Sequence, residues 1–260
     1  MIDDLAPERI AGLLRERWGR SLTVVQSTGS TMDDALAAAA EGAGDGHVVL
    51  ADQQTHGRGA HGRHWVSPPG SDLYFSVVAR PAIEPASTPL ITLATGLGIR
   101  GAIASLLPSR SVAVKWPNDI WVEGRKCAGI LVESRTLGSQ LDSVIIGIGV
   151  NVNRTEWPPA LRGLATSLRA ETPGGAPFDR AEVFATVLSS VERWVSRLIR
   201  DGAAPVVEAL RPNLALIGQR VRWEDRVGVF EGIGHDGAAL VRTDAGTLAL
   251  HTAHLEPIVG

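Results

Sequence analysis

Residues 53–65 read Gln-Gln-Thr-His-Gly-Arg-Gly-Ala-His-Gly-Arg-His-Trp, between two short apolar runs, His47–Ala51 and Leu73–Ala79. Runs of that length and composition read as strands, so the stretch is a loop held at both ends rather than a flexible tail. Gly57, Gly59 and Gly62 let the backbone approach a ligand closely. Arg58 and Arg63 place fixed cations beside exposed amides, a combination suited to a phosphate or a carboxylate. No Lys-Ser/Thr pair follows the glycines, as a P-loop requires, and the spacing is not that of the dinucleotide fingerprint.

The rest of the chain bounds the possibilities. Its 260 residues accommodate one large domain or a main domain with a small satellite. A hydrophobic content of 44% indicates an ordinary packed core. The net charge of −3 gives no global basic field for nucleic acid. A single cysteine, Cys127, excludes an internal disulfide framework and a multi-cysteine zinc site. No apolar run is expected to reach transmembrane length, and the acidic start Met1–Asp4 is unlike a signal peptide, so a cytoplasmic protein is expected.

Pro7 is placed to start a helix carrying Ile10, Leu13, Leu14 and Trp18 on one face. A strand follows at Leu22–Gln26, and Ser30 caps an alanine-rich helix that runs to about Glu41. Helical spacing covers Thr88–Leu107, and β patterning covers Val112–Lys115, Ile120–Val122, Cys127–Ser134 and Val144–Val150, with a hairpin turn at Glu123–Arg125. After the proline- and glycine-rich connection Asn153–Pro177, a capping box at Asp179 and Glu182 opens another helix, and a second runs from Ala203 to Leu210. Beyond Gly218 only short alternating runs remain, the pattern of a small β-barrel. The expected boundaries are 1–213 for the main domain and 214–260 for the satellite.

A second constellation lies at Lys115-Trp-Pro-Asn-Asp119, followed by Lys126 in Arg125–Glu133. A hairpin of this length brings Lys115 and Lys126 into one neighbourhood with Asn118 and Asp119. Two lysines with an Asn-Asp pair suit a magnesium-triphosphate site; the same residues also suit an ordinary surface hairpin.

With Gly29-Ser-Thr-Met32 and Gly147-Ile-Gly-Val-Asn-Val-Asn153, these segments resemble the biotin protein ligases in order and spacing. The resemblance runs from about Ser30 to Asn153, and the C-terminal β region is similar to that family's SH3-like domain. It implies an α+β fold: a mixed β-sheet flanked by helices, of the class II synthetase-like, biotin–lipoate ligase type, with a small C-terminal SH3-like β-barrel. It also implies an ATP-dependent, AMP-forming ligase that makes biotinyl-5′-AMP and transfers biotin to a lysine of a carboxylase's biotin carboxyl carrier domain, with Mg²⁺ as cofactor. About 20 residues precede the first strand, too few for the DNA-binding winged helix of some members, so a stand-alone form that binds neither DNA nor membrane is expected, as a monomer or weak homodimer.

By resemblance, Ser30, Thr31, Met32, Gln54, Gly59, Ala60 and Gly129 belong to the biotin pocket. Ser30 also has a plain role as N-cap, and Gly129 serves equally at a strand bulge. Arg58 holds the biotin carboxylate and then the adenylate phosphate, and Lys126 is the catalytic lysine. Arg63, Lys115, Asn118 and Asn151 are assigned to ATP, and Asn118 with Asp119 to magnesium; for Asn118 and Asp119 the alternative is a turn stabilised by its own side chains. Trp65 either stacks over the ligand as part of a lid or anchors the core. Ala60 departs from the family, many of whose members carry an arginine there that orders the loop over the adenylate. Three other readings remain at this level: a lipoate–protein ligase of the same superfamily, a biotin-binding relative without catalysis, and a nucleic-acid-binding module. The last is opposed by the net charge of −3.

Overall fold

A computed structural model describes residues 3–138 and 140–258. Helix α1 (Pro7–Leu13) starts on its proline but ends at Leu13, where Leu14 turns extended. Trp18 therefore lies beyond the helix rather than on its face, and is nonetheless buried. Strand β1 (Leu22–Thr28) leads into α2 (Thr31–Ala40), where Ser30 Oγ accepts the amide of Met32 as cap. β2 (His47–Gln54), β3 (Leu73–Ala79), α3 (Thr88–Leu106), β4 (Val112–Lys115), β5 (Asp119–Val122), β6 (Arg125–Leu137) and β7 (Gln140–Val150) follow. They form a seven-stranded sheet in the order β1-β2-β3-β7-β6-β5-β4. Only β1 and β2 run parallel; the remaining neighbours are antiparallel, so the sheet is mixed.

The connection after β7 contains the short helix α4 (Leu168–Glu171) and leads into α5 (Arg180–Asp201) and α6 (Ala203–Leu210). Ile91, Leu97 and Ile103 of α3 join Phe184, Val187 and Val191 of α5 and the sheet residues Phe75, Ile130 and Ile148 in one core. Phe75 and Phe184 meet edge to face at 5.0 Å, a favoured aromatic geometry. A smaller cluster joins α2 to the sheet through Met32, Ala35, Ala39, Val49, Val78 and Ile145. Helices thus cover the sheet from two packing clusters, and the strand ends carry the loops.

One expectation is corrected here. Pro85–Leu106 spans 22 residues with a mean hydropathy of 1.4, enough in length and composition to cross a membrane. The interruption by Gly96, Gly98, Arg100 and Gly101 breaks the apolar run in sequence, but not the helix. The helix is packed into the core against α5 and the sheet, which accounts for its composition.

Asp179 caps α5 by accepting the Glu182 amide at 3.2 Å. Replacing it with alanine leaves that N–H unpaired and is expected to cost about 1 kcal/mol of stability, read as a lower urea midpoint with an unchanged slope.

After Gly218 the chain forms β8 (Arg220–Trp223), β9 (Arg226–Ile233), β10 (Ala239–Thr243), β11 (Gly246–Leu250) and β12 (Glu256–Pro257). They make a separate five-stranded antiparallel sheet in the order β11-β10-β9-β8-β12, an SH3-like arrangement. It is fastened to the larger sheet at β4 and the turn after it. The Ala215 amide donates to Val114 O, and buried Trp116 donates its indole N–H to Gly237 O at 3.0 Å.

Candidate active site

The glycine-arginine loop is folded, not open. The Gly59 amide donates to Arg63 O and the Trp65 amide to Gly57 O, each closing the loop on itself. His61 and Gly62 both take positive φ (57° and 70°), which reverses the chain. The returning limb is tied down where Arg154 donates to Val66 O at 2.8 Å, while Arg154 itself is held by Asp72.

Trp65 is what the loop delivers. Its indole lies flat on Gly149 and Gly129, which face each other across β7 and β6. A Cβ at Gly149 would stand 2.4 Å from Trp65 Cε2, and one at Gly129 would stand 2.8 Å from Cζ3. Only glycine at Gly149 admits the ring at this distance. The loop, the two glycines and the hairpin β4–β5 enclose a cavity of about 420 Å³.

Lys126 reaches the same cavity because of a bulge. The β5–β6 register shifts between Ile120 and Trp121, so that Trp121 pairs with Lys126 and Ile120 with Ala128. Regular alternation would put Lys126 and Gly129, three residues apart, on opposite faces. The extra residue, Cys127, cancels that alternation. Lys126 Nζ consequently lies 3.2 Å from the position of a Gly129 Cβ and 5.1 Å from the Trp65 ring centroid. Cys127 points into the core, where burial pushes its thiol up and leaves it no role as a nucleophile.

Asp119 stands between the two lysines. Its Oδ1 is 2.6 Å from Lys126 Nζ, and its Oδ2 is 3.9 Å from Lys115 Nζ. Oδ1 is buried and lacks hydrogen-bond geometry with any donor among the described residues, so its link to Lys126 is an ion pair only. Asn118 fixes the turn, because its side-chain amide donates to Ile130 O. Lys115 is 4% exposed, and burial pushes its ammonium down to about 8, with Asp119 opposing and Lys126 and Arg63 adding to the fall.

At the other end of the cavity the Thr31 amide and hydroxyl both donate to Gln54 Oε1, at 2.9 and 3.2 Å. Gln54 Nε2 in turn donates to Ser67 Oγ, and the Thr31 hydroxyl meets Ser76. Ser30 is buried as the cap of α2, and Met32 packs against Gly147. Arg58 bridges Asp33 (2.6 Å) and Glu133. Gly59 and Ala60 lie on the cavity wall. Asn151 is buried with its amide donating to the carbonyls of Thr166 and Lys126, so it braces the strand that carries Lys126.

The structure thus gathers Thr31, Met32, Gln54, Arg58, Arg63, Trp65, Lys115, Asn118, Asp119, Lys126 and Asn151 around one cavity. Ser67 and Ser76, which pair with Gln54 and Thr31, lie outside the sequence motifs. So do His254 and Glu256, which reach the cavity from the C-terminal sheet. No local pattern marks them, since they become neighbours only when the two sheets dock.

A cavity with a polar end, an arginine loop across it and two lysines around one carboxylate defines a nucleotide-dependent ligase of the biotin and lipoate type. Residues 24–151 match the family model described as Biotin/lipoate A/B protein ligase family. The chain is 36% identical over 227 residues to a biotin--[acetyl-CoA-carboxylase] ligase of Mycobacterium tuberculosis, covering 84% of this chain and 82% of that protein. It is 34% identical over 252 residues to the bifunctional ligase/repressor BirA of Bacillus subtilis, covering 94% of this chain and 76% of that one. A biotin protein ligase from Aquifex aeolicus, solved in complex with biotin and ATP, superposes with a TM-score of 0.80 at 26% identity, over 92% of this chain and 100% of that one. The chain belongs to the biotin protein ligases.

Proposed function

We propose that this chain joins biotin to ATP in the cavity beside Trp65, forming biotinyl-5′-AMP and pyrophosphate, and passes biotin to a lysine of a biotin carboxyl carrier domain. The observation that carries this reading is the Lys115–Asp119–Lys126 cluster facing the Arg58 loop across one cavity. Residues 1–213 are the catalytic unit in this reading, and 214–260 the satellite.

In this reading the ureido end of biotin is received by Ser30, Thr31 and Gln54; Ser76 orients Thr31, Ser67 orients Gln54, and Ser30 is oriented by the Met32 amide. Its ring and chain run past Met32 and Gly129, and Arg58 receives the carboxylate. Arg58 is preorganised for this by Asp33 and Glu133, which hold its guanidinium beside the cavity. Lys126 stands where negative charge grows on the α-phosphate and the carboxylate during attack; such a contact favours the transition state over the ground state. Asp119 keeps Lys126 aimed at the cavity. Lys115 and Arg63 take the remaining phosphates. Trp65 and the folded loop keep water from the mixed anhydride.

A magnesium ion arriving with the triphosphate would meet one buried carboxylate, Asp119, with Asn118 beside it. Among the described residues no cluster of three His, Cys, Asp or Glu side chains could cage a metal. A single carboxylate suits Mg²⁺, which takes its other ligands from phosphates and water. When bound, the ion would neutralise charge on the triphosphate.

The test incubates the protein with ATP, Mg²⁺, biotin and a carrier domain and measures labelled lysine by mass spectrometry. Biotin-dependent exchange of pyrophosphate into ATP is expected; exchange with lipoate instead, or none with biotin, would sink the reading.

Ala60 leaves the loop without a charged contact at its tip. Substituting Ala60→Arg is expected to slow biotinyl-AMP release roughly tenfold or more, the equivalent of one hydrogen bond to a charged group. It should also reduce labelling of bystander lysines. An unchanged release rate in a single-turnover chase counts against a leaky lid.

A further inference from the structure

We propose that His254, from the C-terminal sheet, is a further substrate-binding residue: its imidazole N–H binds the terminal phosphates of ATP and the departing pyrophosphate. The small domain then completes the nucleotide site rather than decorating it. The inference rests on the reading above and adds a residue that none of the sequence motifs contains.

His254 lies in the segment between β11 and β12, with its side chain 24% exposed. Its Nδ1 is 3.4 Å and its Nε2 3.5 Å from Lys115 Nζ, and Nε2 is also 3.4 Å from an Arg63 guanidinium nitrogen. Three segments remote in sequence therefore put three nitrogen-bearing groups at one wall of the cavity: the arginine loop, β4 and the C-terminal tail. His61 faces the same imidazole at 6.2 Å between ring centroids. The nearby acids are Asp119, which is engaged by both lysines, and Glu256, whose Oε1 stands 3.6 Å from Nε2.

A neutral imidazole has one acceptor nitrogen and one N–H donor. Lysine and arginine offer only donors, so whichever ring nitrogen carries the proton finds no acceptor in either cation. Glu256, at 3.6 Å and largely exposed, stands beyond hydrogen-bond distance of Nε2, so the cluster is one acceptor short, and two cations face this wall. Burial and the charges of Lys115 and Arg63 hold His254 down to about 4, which keeps it neutral near pH 7. A phosphate oxygen supplies both missing elements, a negative charge and a hydrogen-bond acceptor. A polyphosphate fits the site better than a carboxylate because it has oxygens for Arg63, Lys115 and His254 together.

The test compares wild type with His254→Ala in biotin-dependent pyrophosphate–ATP exchange, using the full chain. KM for ATP and for pyrophosphate is expected to rise about tenfold, as for one lost hydrogen bond to a charged group. The maximal rate should change little, and the calorimetric Kd for biotin alone should not move. Transfer from synthetic biotinyl-AMP to the carrier domain should also be unaffected, because that substrate has no pyrophosphate. His254→Gln keeps an N–H donor and should recover most of the lost affinity. Unchanged KM values for His254→Ala would overturn the inference, as would a parallel fall in biotin affinity or in transfer, which marks a role in the fold. Direct titration with pyrophosphate separates this inference from the proposed function. If wild type shows no exchange yet loses pyrophosphate affinity on His254→Ala, the phosphate role stands and the ligase reading falls.

Discussion

Replacing Lys126 with alanine is expected to lower the rate of biotinyl-AMP formation by about 10²–10³-fold, the effect of deleting one preorganised charge-stabilising donor. Biotin affinity should fall much less, because Arg58 and the Thr31–Gln54 pair remain. The structural cost should be small, since Lys126 is a quarter to a third exposed and its backbone stays bonded to Leu164 and Thr166. Asp119, however, would lose its 2.6 Å partner while remaining buried beside Lys115. Lys126→Arg tests the point further: it keeps the charge but replaces a compact ammonium by a planar fork, and should restore only part of the rate. Single-turnover measurement of adenylate formation is the readout. A Lys126→Ala protein that adenylates biotin at the wild-type rate removes Lys126 from the chemistry.

Gly149→Val is expected to impair ligand binding more than it impairs folding. A single Cβ at this position would stand 2.4 Å from the Trp65 ring, and valine adds two methyl groups beyond it. Neither Gly149, inside the sheet between β3 and β6, nor its neighbours can move aside, so the indole must leave. Overpacking of this kind costs about 1–3 kcal/mol. The loss falls on the loop, whose position depends on Trp65 and on the Arg154–Val66 tie. A rise of tenfold or more in KM for biotin and ATP follows from about 1.4 kcal/mol. Thermal denaturation should show the sheet still folded. If Gly149→Val binds biotin as wild type does, the seating of Trp65 on Gly149 does not shape the site. Gly149→Ala should fall between the two.

Much of the molecule is legible in its sequence. Ser30 as a cap, Asp179 as the cap over the Glu182 amide, the helix from Ala203 to Leu210 and the Glu123-Gly124 turn depend on neighbours a few residues away, and each appears where the local chemistry places it. The motifs at residues 29–32, 54–65, 115–133 and 147–153 each carry residues that line the cavity, and each is a short contiguous run. Trp18 failed this test: apolar periodicity extended α1 past Leu13, yet the residue is buried by contacts distant in sequence. Helical spacing over Thr88–Leu107 matches α3 to within one residue, and the helix continues through the glycines and Arg100 that divide its apolar run.

The sequence by itself determined the loop's composition, its two flanking strands, the charges at Arg58, Lys115 and Lys126 and the change to short strands after Gly218. Tertiary structure alone decided which of these charges share a space. A bulge at Cys127 turns Lys126 to the cavity, facing glycines on two strands seat Trp65, and docking of the second sheet brings His254 to Lys115 and Arg63. Periodicity records which side of its own element a residue occupies. Bulges, close backbone approach and sheet docking depend on contacts between residues far apart in the chain, and those arise only when the sheets close.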